Sequence, residues 1–162
     1  MVSDKYLKFG KYTSGCPDWF LDKIRDIGLG GLIDESRVVD ILKVIRSEFD
    51  PKLHEITTTR DFRASRFIRV RDVLERHQRS CGSMSSVVAA VFRSLGVPTK
   101  LIDGMFVRNN PNMRHSWNEI LIGEVWKPFD ITRPGFGLSE FHVRKGEHID
   151  WEELEDSVGF AG

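Results

Sequence analysis

Residues 80–96, SCGSMSSVVAAVFRSLG, decide how this chain is read. Met84, Val87, Val88, Val91, Phe92 and Leu95 fall at offsets of 0, 3, 4, 7, 8 and 11, one stripe of an amphipathic helix. Gly96 suits the C-terminal cap, and Pro98 forbids continuation. The other face carries Ser85, Ser86 and Ala89, small enough to let a second element approach closely. The stretch therefore reads as a buried helix with Cys81 at its N-terminus.

Downstream the pattern changes to strands. Residues 100–107 (KLIDGMFV) form one, and 114–122 (RHSWNEILI) alternate. Gly123–Glu124 marks a turn, and 125–132 (VWKPFDIT) return, with Pro128 placing that strand at an edge or a bulge. Residues 133–141 read as loop and strand, and the acidic stretch 147–156 as a short terminal helix. Upstream lie helices. Residues 17–26 are ended by Gly28, Gly30 and Gly31. Residues 34–49 carry Val38, Leu42, Ile45 and Phe49 on one stripe, with Asp34 or Ser36 as N-cap. Residues 57–67 are ambiguous, 69–79 resemble a short polar helix, and 1–15 are expected to be loosely held. Helices followed by an antiparallel meander make the class α+β.

The 162 residues suit one domain spanning 1–162, large enough to bury roughly two-thirds of its unfolded-chain surface. Lys+Arg and Asp+Glu both number 24, so net charge gives no case for nucleic acid or an anionic membrane. No apolar run approaches the roughly 20 residues of a bilayer span, and MVSDKYLKFGKYTSG lacks the apolar core of a signal peptide. Two cysteines, Cys16 and Cys81, make no disulfide scaffold and no zinc spacing. The expected setting is a reducing cytoplasm with free thiols.

A thiolate nucleophile is stabilised by a helix N-terminus and by a neighbouring imidazolium, and it needs a base held by a third group. Cys81 occupies the first position, and Gly82 beside it is expected to leave the backbone open to a substrate. His115 and Asp130 lie on the two strands of the hairpin. A two-residue turn at Ile122–Gly123 pairs 115 with 130 directly. A turn at Gly123–Glu124 pairs 117 with 130 and leaves 115 diagonal on the same face. A three-residue turn puts them on opposite faces.

The blocks Arg93-Ser94-Leu95-Gly96-Val97-Pro98, His115-Ser116-Trp117-Asn118-Glu119 and Trp126-Lys127-Pro128-Phe129-Asp130 follow Cys81 in order. With it they resemble the transglutaminase-like superfamily, which has a papain-type Cys–His–Asp arrangement. The resemblance covers residues 80–132. It implies Cys81 as nucleophile, His115 as base and acid, Asp130 as orienter, and Trp117 and Trp126 as packing residues. A family oxyanion donor is often a Trp or Gln upstream of the cysteine. Gln78 fits by type but stands three residues before Cys81, and Trp19 is distant. The Cys81 backbone N–H is the safer half of such a hole.

A free cysteine is already a few per cent thiolate at neutral pH. Full ionisation gains roughly 30-fold, and lower basicity returns about tenfold of it. Protonation of the leaving amine by His115 matters more, at roughly 10²–10⁴. The expectation is a cysteine hydrolase or acyl transferase that forms a thioester from an amide, on a protein or peptide substrate, without cofactor or metal. Water as acceptor gives a protease or amidase, and an amine gives a transglutaminase. A catalytically silent binding module and a peptide N-glycanase-like deglycosylase are the alternatives. Cys16 is read as structural, and His54, His77, His142 and His148 as surface residues without metal spacing. Arg60, Arg63, Arg66, Arg69, Arg71, Arg76 and Arg79 read as a solvated face, an acidic-ligand patch, or partners for the acids of 147–156.

Overall fold

The computed structural model describes residues 2–27, 33–58, 66–108 and 113–159, with side chains as far as Glu155 in the last stretch. Gly28, Gly30, Gly31, Arg60 and Arg63, singled out above, lie outside the described residues. The elements are α1 (Asp18–Arg25), α2 (Glu35–Ser47), β1 (Thr57–Thr58), α3 (Val70–Arg76), β2 (Gln78–Arg79) and α4 (Cys81–Ser94). Then follow β3 (Thr99–Phe106), β4 (Arg114–Ile122), β5 (Val125–Phe129), β6 (His142–His148) and α5 (Glu152–Gly159). Mixed helices and a small antiparallel sheet make the fold α+β, as the element order implies.

Helix α4 is the centre, buried from Gly82 to Arg93. Its apolar stripe packs with Phe20 and Ile24 of α1, Val38, Ile41, Leu42 and Ile45 of α2, and Val73 and Leu74 of α3. On the small-residue face Ala89 meets Leu101 of β3, Tyr12 and Trp151. Gly96, at φ 79, ends the helix in the left-handed region where a Cβ is penalised, and Val97 N–H reaches back to Phe92 O at 2.9 Å. Asp34 caps α2, its Oδ1 accepting Arg37 N–H at 2.8 Å.

The sheet order is β5-β4-β3-β6, all antiparallel. Pro128 therefore sits on an edge strand, where its missing N–H costs no ladder bond. Ile122 pairs with Val125 and Asn118 with Phe129. That register belongs to the Gly123–Glu124 turn, which leaves residues 115 and 130 diagonal on one face. β6, the other edge strand, carries no local strand signal: HVRKGEH has no apolar alternation, and its residues are exposed or half-buried rather than buried on one face.

The N-terminal segment is not loosely held. Tyr6, Tyr12 and Thr13 are buried, and Asp150 accepts Tyr12 N–H at 3.0 Å and the Thr13 hydroxyl at 2.9 Å. Arg93, buried in α4, donates to Lys8 O at 2.7 Å. The terminal acids are used here as well. Glu147 pairs with Lys100 at 2.6 Å and accepts from Tyr6 Oη at 2.8 Å, and Glu155 accepts from Tyr12 Oη at 2.7 Å. Arg66 instead pairs with Asp103 at 2.6 Å.

Candidate active site

Cys81 is the first residue of α4 and is partly exposed. Ser80 caps the helix, its Oγ accepting Ser83 N–H at 3.2 Å. The N–H groups of a helix's first turn have no partner within the helix and carry the positive end of its dipole. Side chains hold that turn in place. Ser85 Oγ donates to Cys81 O at 2.6 Å, Trp151 Nε1 to Gly82 O at 3.1 Å, and Asn118 Nδ2 to Ser85 O at 3.1 Å and Lys100 O at 3.2 Å.

Gly82 has no room for a side chain. It is buried, and a Cβ on it would lie 2.7 Å from Arg66 Cγ. Glycine is required there because the buried Arg66 lies against the helix. Gln78 lies on β2, is buried, and its Nε2 has no hydrogen-bond partner among the described residues. Trp19 is an exposed residue of α1.

His115 extends from β4, and its Nε2 lies 2.6 Å from Asp130 Oδ2. Burial pulls the imidazole pKa down. The hydrogen bond and charge of Asp130, with Cys81 acting in the same direction, outweigh that and raise it to about 9. With Nε2 engaged by the carboxylate, Nδ1 is the ring nitrogen left to exchange a proton with a thiol. Asp130 is fully buried, and burial alone would push its carboxyl up. The hydrogen bond and charge of His115, and the bonds from His142 and Thr132, instead hold it well below the usual carboxylate range.

Four hydrogen bonds surround that carboxylate. Oδ1 accepts Thr132 N–H at 3.0 Å and Thr132 Oγ1 at 2.6 Å; Oδ2 accepts His115 and, at 2.8 Å, His142 Nε2. His142 is therefore not a surface residue; its side chain is 1% exposed. It packs edge-on against Trp117, ring centroids 5.2 Å apart. Trp117 is buried beneath both imidazoles, its Nε1 without a partner among the described residues, and a Cβ at Gly104 would strike its ring at 2.4 Å. Nothing in the sequence marks His142, Asn118, Arg66 or Trp151, since each acts through a partner distant in the chain.

Among the described residues, two clusters have donor atoms close enough for one metal ion: His115, Asp130 and His142, and Glu48, His54 and His77. His54 and His77 stack at 4.1 Å beside the buried Glu48, and His148 bonds Glu153 at 3.0 Å, so these three also have built contacts rather than free surface. Lys23 already neutralises Glu48 at 2.8 Å. Cys16 packs against the main core, where burial, with help from Asp18, pushes its thiol up to about 12. A cavity of about 580 Å³ between α2 and the loop after Asp130 is lined by Lys43, Arg46, Arg79, Met84, Thr132 and Phe136, among others. Among the described residues no helix is long and apolar enough to cross a membrane.

Residues 30–131 match the transglutaminase-like superfamily. A crystal structure from Cytophaga hutchinsonii, named as a candidate cysteine protease, superposes with a TM-score of 0.72 at 18% identity, covering 94% of this chain and 48% of that one. A structure named only as a TGase gives a TM-score of 0.49 at 16% identity, covering 90% of this chain and 35% of that one. The chain thus spans about half the length of the first and about a third of the second. No curated protein matches it.

Proposed function

The chain belongs to the transglutaminase-like superfamily, and from that premise we propose that it is a cysteine-dependent acyl-transfer enzyme acting on amide bonds of a protein or peptide. One observation carries the reading: the half-buried imidazole of His115 lies 2.6 Å from the Asp130 carboxylate, and Asp130 and Cys81 both raise its pKa. A bystander histidine has no need of both. The position of Cys81 at the start of a capped helix supports the same reading, because the thiolate is the reactive form and the helix end stabilises it.

In the first step His115 Nδ1 takes the thiol proton and Sγ attacks the amide carbonyl carbon. The oxygen becomes an oxyanion beside the Cys81 backbone N–H. Collapse of this adduct breaks the C–N bond, and the imidazolium gives its proton to the departing nitrogen. An amine leaves and a thioester remains on Cys81. Water, deprotonated by His115, then attacks the thioester; the acid departs and the thiol regains its proton. A second amine in place of water gives transfer. We favour hydrolysis, because water is always at hand and an acceptor site must be built.

The test is incubation with casein and a fluorescent primary amine, with Cys81→Ala as control. Fragments that vanish in the control support proteolysis, and labelled casein that vanishes supports transfer. Neither product, together with a Cys81 whose alkylation follows an ordinary thiol titration, overturns the enzyme reading in favour of a binding module.

A further inference from the structure

The Cys81–His115–Asp130 line does not end at the carboxylate. We infer that His142 is a fourth, positioning member of the site: it fixes Asp130 Oδ2 by donating to the same oxygen that His115 engages, so that the carboxylate keeps its charge and aim toward His115. The inference rests on the proposed catalytic reading and extends it.

The direction of the bond is set by the backbone. Ser139 N–H points at His142 Nδ1 from 3.0 Å, and a backbone N–H can only donate. Nδ1 must therefore be the acceptor, and the ring proton sits on Nε2. Nε2 lies 2.8 Å from Asp130 Oδ2, so it donates to the carboxylate. The hydroxyl of Ser139 also lies against Nδ1, at 3.1 Å. The ring is further locked by edge contacts to Phe106 at 5.2 Å and Trp117 at 5.2 Å. His142 therefore cannot turn without breaking contacts on every side.

The carboxylate needs this partner. It has no exposure to water, and its hydrogen bonds come from His115 on β4, His142 on β6 and Thr132 beside it. Thr132 serves only Oδ1. Without His142, Oδ2 keeps one donor, the same ring it is meant to orient. A buried anion short of a donor rotates or takes up a proton more readily, and either outcome removes negative charge from beside His115. The imidazolium that supports the Cys81 thiolate is then weakened.

The experiment reads iodoacetamide alkylation of Cys81 against pH, which needs no known substrate. His142→Phe keeps an aromatic ring and removes the donor. His142→Asn removes it without bulk, and His142→Gln places an amide N–H near the position of Nε2. Circular dichroism melts report folding. The expected result is that Phe and Asn slow alkylation on the acid limb at least about tenfold, the scale of one hydrogen bond to a charged group. Gln should recover most of the loss. In an Asp130→Asn background the same substitutions should change the rate less than about twofold, because His142 acts through that carboxylate. An unchanged or faster rate in folded His142→Phe or His142→Asn overturns the inference, as does an equal loss in the Asp130→Asn background. If wild-type Cys81 itself titrates as an ordinary thiol, the catalytic reading fails instead, so the two failures are distinguishable.

Discussion

Replacing Gly82 with alanine sets two effects of opposite sign against each other. Alanine is the better helix former by about 1 kcal/mol in a helix interior, and by less in a first turn. The added Cβ would stand 2.7 Å from Arg66 Cγ and 3.3 Å from Arg66 Cα and N. Carbon atoms pack best at about 3.5–4.0 Å, so something must move. Arg66 is poorly placed to do so. Its Nη2 is 2.6 Å from Asp103 Oδ1, its Nε is 3.2 Å from Ser116 Oγ, and its guanidinium lies 4.8 Å from the Trp151 ring centroid. Overpacking a well-filled site costs about 1–3 kcal/mol, which exceeds the propensity gain. Gly82→Ala should therefore lower stability by about 1–2 kcal/mol in urea unfolding. In an Arg66→Ala background, with Cγ gone and only the 3.3 Å backbone contacts left, it should become about neutral. A Gly82→Ala protein more stable than wild type would refute the reasoning. It would mean that the flank of α4 beside Cys81 is open.

Three other outcomes are expected. His115, raised to about 9 from its ordinary 6.5, contributes stability in full below pH 6.5 and loses that contribution as pH rises through about 9. Asp130, held below its ordinary 3.8, contributes above that value and loses it as pH falls toward its own lower value. Melting temperature followed from neutral to alkaline pH should thus fall more steeply in wild type than in His115→Ala; parallel curves would contradict the pairing. The two cysteines are both partly exposed, so a thiol reagent near neutral pH should label Cys81 at least about tenfold faster than Cys16 in the native protein, because burial pushes Cys16 up to about 12. Peptide mapping by mass spectrometry reads this directly. Asn118→Ala should cost about 1–3 kcal/mol in urea unfolding, since it strips a donor from the carbonyls of Ser85 and Lys100.

The α4 helix could be read from the chain because its information is local. A stripe at 3.6-residue spacing, a serine cap, a glycine at the far end and a following proline each act within a turn or two of themselves. The hairpin was legible for the same reason: Gly123 at φ 64 sets a two-residue turn, and the period of two along each strand then puts residues 115 and 130 on one face. Periodicity could narrow the turn to alternatives, and the tertiary register selected among them.

Other features depended on groups that meet only when the chain is folded. β6 carries no apolar alternation, and its identity comes from pairing with β3. The N-terminal segment lacks a local pattern, yet Asp150 and Arg93 fix it from the far end of the chain and from the central helix. The surroundings of Gly82 and His142 escape the sequence for one reason. A glycine beside a nucleophile and a histidine opening a polar strand have no intrinsic meaning in sequence; the arginine whose Cγ crowds the one and the carboxylate that engages the other lie 16 and 12 positions away, respectively. Local stereochemistry thus set the elements and the face on which His115 and Asp130 lie, while satisfaction of buried charge, which requires partners from separate strands, was decided by the tertiary structure alone.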